Sequence, residues 1–129
     1  MRHNNGGNFH KSEPLIEEII NTPAINQKGK LFVILGRQSY SASIATAILL
    51  KNKTQTIFVG ESPRGSPNFL EDVEHFRLPN SKLEVDYSVN NSELPKFPTD
   101  LIYFPLDISV TPNLDDYLTG EDTFLKAIH

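Results

Sequence analysis

The stretch that most constrains the fold is Leu31 to Leu50. There the most apolar run of the chain, Leu31 to Leu35, meets its best helical segment, Ile44 to Leu50, across Gly36-Arg37-Gln38-Ser39-Tyr40-Ser41-Ala42-Ser43. An apolar, β-rich run bounded by glycine reads as a buried strand. Ser41-Ala42-Ser43 followed by Ile44, Ala45, Ala47, Ile48 and Leu49 reads as a capped helix start. A serine is therefore presented where a strand turns into a helix. The first N–H groups of a helix have no partner inside it and carry roughly half a positive charge, so they can stabilise an anion formed beside that serine. On this stretch alone Ser41 and Ser39 have two open roles, nucleophile or simple N-cap, a common job for serine.

Gln55 to Val59 reads as a second buried strand, so strand, helix and strand follow at a spacing suited to a right-handed βαβ crossover. Ligands of parallel α/β sheets gather at the carboxyl ends of the strands. The serine turn, the Gly60-Glu61 loop and the Gly6-Gly7 loop are all expected at such ends. Met1 to Phe9 reads as the end of a strand followed by a tight Asn/Gly loop, in which Gly6 and Gly7 permit positive φ and let a backbone N–H approach a ligand. Ser12 is expected to cap a helix with Pro14 in its first turn and Leu15, Ile16, Ile19 and Ile20 on one face. It should end near Asn21, because Pro23 excludes the helical conformation for Thr22. Val73 to Leu78 and Leu83 to Val89 read as a hairpin turning at Pro79-Asn80-Ser81, with one face exposed. Asn90 to Phe104, broken by Pro95 and Pro98, reads as a mobile surface connection. Leu106 to Val110 is a last strand, followed by short helices at Asn113 to Leu118 and Asp122 to Ile128, interrupted at Gly120. The acidic cluster Glu71, Asp72 and Glu74 reads as a solvated face.

A length of 129 residues suits one small domain. A net charge of -4, with 12 Lys and Arg scattered along the chain, leaves no electrostatic footprint for nucleic acid. The absence of cysteine excludes a thiol nucleophile, a thiolate metal site and a disulfide framework. The 4 histidines lack ligand spacing, so no metal or cofactor is expected. No apolar run approaches the ~20 residues of a membrane-spanning helix, and the first residues are polar instead of signal-like.

Three ordered stretches carry a family resemblance: Arg2-His3-Asn4-Asn5-Gly6-Gly7-Asn8, then Ser39-Tyr40-Ser41-Ala42-Ser43, then Val59-Gly60-Glu61-Ser62-Pro63-Arg64-Gly65-Ser66-Pro67-Asn68. Together they resemble the C-terminal processing (tail-specific) serine peptidases. In that family an Asp-Leu-Arg-x-Asn-x-Gly-Gly strand end, a Ser-Ala-Ser nucleophile turn and a Val-Gly-Glu-Pro-Thr loop occur in this order. Leu78-Pro79-Asn80-Ser81 and Asp115-Asp116-Tyr117-x-x-Gly120-x-Asp122 are similar to further family features. The likeness covers nearly the whole chain but only the second half of a complete peptidase domain, so the upstream part is expected to be absent. The resemblance implies an α/β fold, the C-terminal part of the spiral ββα core shared by Clp-type proteases and crotonases.

It also implies a serine endopeptidase with a polypeptide substrate. Ser41 is the nucleophile, and Ala42 with Gly6 or Gly7 supplies the oxyanion donors. One branch of the family uses a lysine about 25 residues after the serine, and Ser66 stands at that place here. No lysine lies between Lys53 and Lys82, so that dyad is missing. The Gly60 to Asn68 loop is closer to the branch containing the tricorn-type core and the interphotoreceptor retinoid-binding protein repeats. Tricorn-type enzymes take their histidine base from an earlier subdomain, so a base from outside the chain, and little or no activity from the chain alone, are expected. Glu61 either orients a base or caps a backbone turn. His3, His10 and His75 could serve as a base only if the fold brought one of them to the serine. Arg2 is expected to pair with a carboxylate within the fold. Relatives are commonly exported, which points to an extracytoplasmic location, and uncovered apolar surface predicts self-association. Two other functions fit the same residues: a peptidase-derived module that binds a peptide or apolar ligand without turnover and, by fold analogy alone, a crotonase-like acyl-CoA enzyme.

Overall fold

A computed structural model describes residues 1–68, 70–91, 94–98 and 101–128. Asn8 opens a 3₁₀ turn, Phe9–Ser12, by accepting the His10 N–H on its side chain at 3.0 Å. α1, Glu13–Ile20, follows, with proline in its first turn and Asn21 as its C-cap. Ser12 does not cap it: its hydroxyl donates to the Phe9 carbonyl at 2.6 Å and meets Thr46 Oγ1 at 2.9 Å. That second contact ties the turn to the next helix. β1 is Phe32–Leu35, α2 Ala42–Lys53 and β2 Ile57–Gly60. β1 and β2 pair in parallel, from Phe32 opposite Ile57 to Leu35 opposite Gly60. The strand, helix, strand unit read from periodicity is therefore the centre of the structure.

β3, Leu70–Arg77, and β4, Glu84–Asn91, form an antiparallel hairpin. It is a two-stranded ribbon, separate from the parallel sheet. Phe76 and Tyr87 meet edge to face at 5.9 Å, and the Tyr87 hydroxyl donates to Glu74 at 2.6 Å. Val73, on the opposite face, is also exposed, so neither face is sealed into the core. In the acidic cluster Glu74 is a hydrogen-bond acceptor, while the side chains of residues 71 and 72 lie outside the described set. The short β5, Ile108–Ser109, adds to the far side of β2 in parallel, giving the order β1-β2-β5. α3, Leu114–Thr119, and α4, Thr123–Lys126, are capped by Asn113 and Asp122 and separated at Gly120.

α2 is buried along most of its length, with Ile44, Ala47, Ile48 and Leu50 in one cluster with Ile16 of α1, Leu35 of β1 and Phe58 of β2. Burial of a large aliphatic or aromatic side chain stabilises by about 1.5–3 kcal/mol, so this layer carries the fold. Two expectations are corrected. Residues 1 to 8 contain no strand; they form a turn closed by the Asn4 N–H on the Met1 carbonyl at 3.2 Å, and this turn lies along the serine link. The Ser39 hydroxyl donates to the Met1 carbonyl at 3.0 Å, and the Tyr40 N–H to the Asn4 carbonyl at 3.1 Å. The stretch read as a surface connection, Asn90 to Phe104, supplies core residues. Leu94 and Phe104 are buried and Phe97 packs beside them, with the Phe104 ring edge-on to Phe58 at 5.0 Å. Residues 92, 93, 99 and 100 of that stretch lie outside the described set.

The first turn and the last helices are joined by charge. The Arg2 guanidinium donates to both carboxylate oxygens of Asp122, at 2.8 and 2.5 Å, and stacks over Phe124 at 5.4 Å. The hydrogen bonds from Arg2 lower the Asp122 carboxyl from 3.8 to about 2. A carboxyl depressed in the folded state stabilises above its ordinary pKa, and that stabilisation is lost as pH falls through the folded value. Asp122→Asn keeps an N-cap acceptor but removes the charge. Urea titrations across pH should show the wild type losing stability between 3.8 and about 2 and the variant, weaker at neutral pH, losing less over that window.

Candidate functional site

The link from β1 to α2 must reverse direction in a few residues, and the strain of that reversal falls on one of them. Ser41 has φ 52° and ψ -117°, one of two non-glycine residues with positive φ among those described. Such a conformation costs about 1–3 kcal/mol and persists only where its surroundings impose it. Here they do. The Ser41 carbonyl accepts the N–H groups of Ile44 and Ala45 at 2.8 and 3.0 Å, starting the helix, while the Tyr40 N–H is held by Asn4.

The three serines of the link are thereby separated in function. Ser39 is fully buried and takes the Gly36 N–H on its hydroxyl at 3.2 Å, so it is a loop fastener. Ser43 is fully buried, and its hydroxyl has no partner among the described residues. Ser41 is exposed, and its side chain makes no capping hydrogen bond. The cap reading is therefore set aside for Ser41, whose hydroxyl is presented to solvent at the positive end of α2.

Gly6 fits beside it because it lacks a side chain: a Cβ there would lie 3.0 Å from Ser41 Cβ and 3.4 Å from the Tyr40 carbonyl oxygen, and its φ is +123°. The Gly6 N–H donates to Asn4 Oδ1 at 2.9 Å, inside its own turn. Neither the Gly7 nor the Ala42 N–H makes a hydrogen bond among the described residues. Of the two glycines, Gly7 is thus the one with a donor to spare.

Residues from all three sequence stretches line one cleft of about 750 Å³: Gly7, Asn8, Phe9 and His10; Tyr40, Ser41 and Ala42; and Arg64, Gly65 and Ser66. Ile44 and Ala45 of α2 and Val73 and Ser88 of the hairpin also line it. Among the described residues no carboxylate lines it, and Arg64 is the guanidinium that does. The cleft is therefore suited to a ligand with an apolar body and developing negative charge. Ser66, at the place of the lysine in one family branch, accepts the Asn68 N–H at 3.0 Å. Asn68 in turn bridges to Phe97, donating to its carbonyl at 3.0 Å and accepting its N–H at 2.8 Å.

Glu61 is directed elsewhere. Its carboxylate pairs with the Arg37 Nε at 2.7 Å, and it does not line the cleft. His75 pairs with Asp86 on the hairpin at 2.6 Å. His10, by contrast, is a cleft residue, and its Nδ1 lies 2.8 Å from Glu13 Oε1. The sequence signal for that pair was the His10-x-x-Glu13 spacing, which places the two on adjoining turns. Among the described residues no group of side chains could hold a metal ion, and no helix is long and apolar enough to cross a membrane.

No protein-family model matches the chain, and no curated protein matches it. Among solved structures it is similar to a presumed S41 protease from Bacteroides fragilis NCTC 9343, at 17% identity and a TM-score of 0.56. The match covers 99% of this chain and 42% of that one, so the chain spans less than half the length of this structural neighbour. What the two share at that identity is a mixed helix and strand fold.

The strain at Ser41 is measurable. Glycine normally costs 0.5–1 kcal/mol against alanine, but here it relieves positive φ. Ser41→Gly is expected to be more stable than Ser41→Ala by about 1 kcal/mol in urea unfolding; the reverse order would mean that residue 41 is unstrained.

Proposed function

We propose that the chain is part of a serine peptidase domain that cleaves polypeptide through an acyl-enzyme on Ser41. The observation that carries this reading is an exposed serine hydroxyl, held in a strained turn at the start of a buried helix, beside the spare N–H groups of Ala42 and Gly7. Ser41 Oγ adds to the scissile carbonyl carbon and gives its proton to a base. Ala42 and Gly7 take up the charge that develops on the carbonyl oxygen; donors of this kind contribute about 2.7–4 kcal/mol each. Collapse expels the amine, and water then releases the acyl group. The resemblance implies a base brought from outside residues 1–129. It also assigns the parallel strands and α2 to the C-terminal part of a spiral ββα core, nearest the tricorn-like branch.

The fold likeness to a presumed S41 protease supports the class. A second reading, a binding module without turnover, is favoured by one observation: Ser41 Oγ has no basic partner within hydrogen-bonding distance among the described residues. Treatment with a fluorophosphonate separates the two. A covalent adduct mapped to Ser41 by mass spectrometry, and lost in Ser41→Ala, is the expected outcome. A peptide that binds the cleft with no adduct and no cleavage would transfer the assignment to the binder.

A further inference from the structure

We infer that His10, oriented by Glu13, is the general base for Ser41, so that the chain carries its own acid-base group. This rests on the reading of Ser41 as a nucleophile and departs from the expectation of an external base. His10 and Ser41 line the same cleft, together with Gly7 and Ala42. The position of His10 is built. Its N–H is capped by Asn8, its ring stacks on Phe9 with centroids 4.2 Å apart, and the turn that carries it is pinned to α2 through Ser12 and Thr46.

Glu13 Oε1 at 2.8 Å from Nδ1 selects the tautomer in which Nδ1–H donates to the carboxylate. The lone pair is then on Nε2, which has no hydrogen bond among the described residues. A nucleophile, a histidine and a carboxylate that orients it is an arrangement recognised by geometry and role instead of by chain order. The imidazole and the Ser41 hydroxyl share the cleft without being hydrogen-bonded to each other; catalytic contacts of this kind often close only around substrate.

The step balances within these groups. The Nε2 lone pair takes the Ser41 Oγ proton as the Oγ–C bond forms and the carbonyl π pair moves onto oxygen. When that pair returns, the C–N bond breaks and the leaving nitrogen takes the proton from Nε2. Water repeats the sequence, giving its proton to Nε2 as it attacks the acyl carbon, and Nε2–H returns a proton to Ser41 as the acid leaves. Glu13 holds the ring through Nδ1 and acts as a positioning residue. Among the described residues, the other titratable or charged side chains lining the cleft are Tyr40 and Arg64.

The test is the rate of Ser41 modification by a fluorophosphonate, measured from acid to neutral pH on the chain itself, on His10→Ala and on Glu13→Gln. The expected result is labelling of the unmodified chain that weakens on acidification, as the imidazole takes up a proton. His10→Ala should label about 100-fold more slowly or worse, with no acid limb, and recover in part on addition of free imidazole. Both residues are exposed, so the variants should keep the wild-type melting curve. Glu13→Gln should label at a rate between those of the unmodified chain and His10→Ala, because the ring loses its orienting carboxylate, and, with the imidazole still in place, should gain nothing from added free imidazole. Labelling of His10→Ala at the wild-type rate and pH profile would overturn the inference while leaving the Ser41 nucleophile intact. An unmodified chain that labels only when free imidazole is added would return the base to outside the chain. Absence of labelling with and without imidazole would remove the nucleophile and the inference together.

Discussion

The end of β2 lies so close to the end of β1 that residue 60 has no room for a side chain: a Cβ there would be 2.1 Å from the Leu35 carbonyl oxygen. Gly60, at φ +127°, allows that approach, and the Glu61 N–H donates to the same oxygen at 3.2 Å. The register Leu35 opposite Gly60 follows, and with it the paths of the serine link and the Gly60–Asn68 loop, which leave the sheet side by side. β5 depends on the same residue, since the Val110 N–H donates to the Gly60 carbonyl at 2.8 Å. Two rows of backbone hydrogen bonds and two walls of the cleft therefore rest on one missing methyl group.

Around this joint the charged residues are kept out of the cleft by pairing elsewhere. Arg37 and Glu61 leave the two adjacent strand ends and neutralise each other. Asp107 accepts the Phe58 N–H at 2.8 Å and lies 3.4 Å from Lys51, whose ammonium stands over the Phe58 ring. Lys126 joins Asp116 and Glu121 at 2.6 and 2.7 Å, raising the lysine and lowering the Asp116 carboxyl. Ion pairs with at least one solvent-exposed member contribute little to stability. Their effect here is positional: among the described residues they leave the cleft lined by backbone donors and one guanidinium.

The parallel unit was legible because its signals are local and agree: an apolar run, a glycine, a capped apolar helix and a second run. The hairpin was legible for the same reason, from alternation around Pro79-Asn80-Ser81. Phe97 and Phe104 were not, because prolines and polar residues break any period near them; Phe104 packs on Phe58, which is distant in the sequence, and Phe97 in turn packs on Phe104. At the site, the three converging stretches could be named from their order. The backbone angle of Ser41 could not, since the link that carries it is held by a distant residue, Asn4, whose carbonyl accepts the Tyr40 N–H. Nor could the division of labour between Gly6 and Gly7, which depends on where the Asn4 side chain turns. Glu61 beside a strand end gave no sign that Arg37 would claim it.

The ion pair between Arg2 and Asp122 joins residues 120 positions apart. Loop closure over such a distance is slow relative to local helix and hairpin formation. A chain emerging from the ribosome therefore has β1, α2 and β2 available well before the turn that carries Gly6 and Gly7 can be fastened to its distant partner. The central layer can form early, but the clasp on this wall of the cleft waits for the last helices. Synthesis order thus delays completion of the cleft until nearly the whole of this chain has been made.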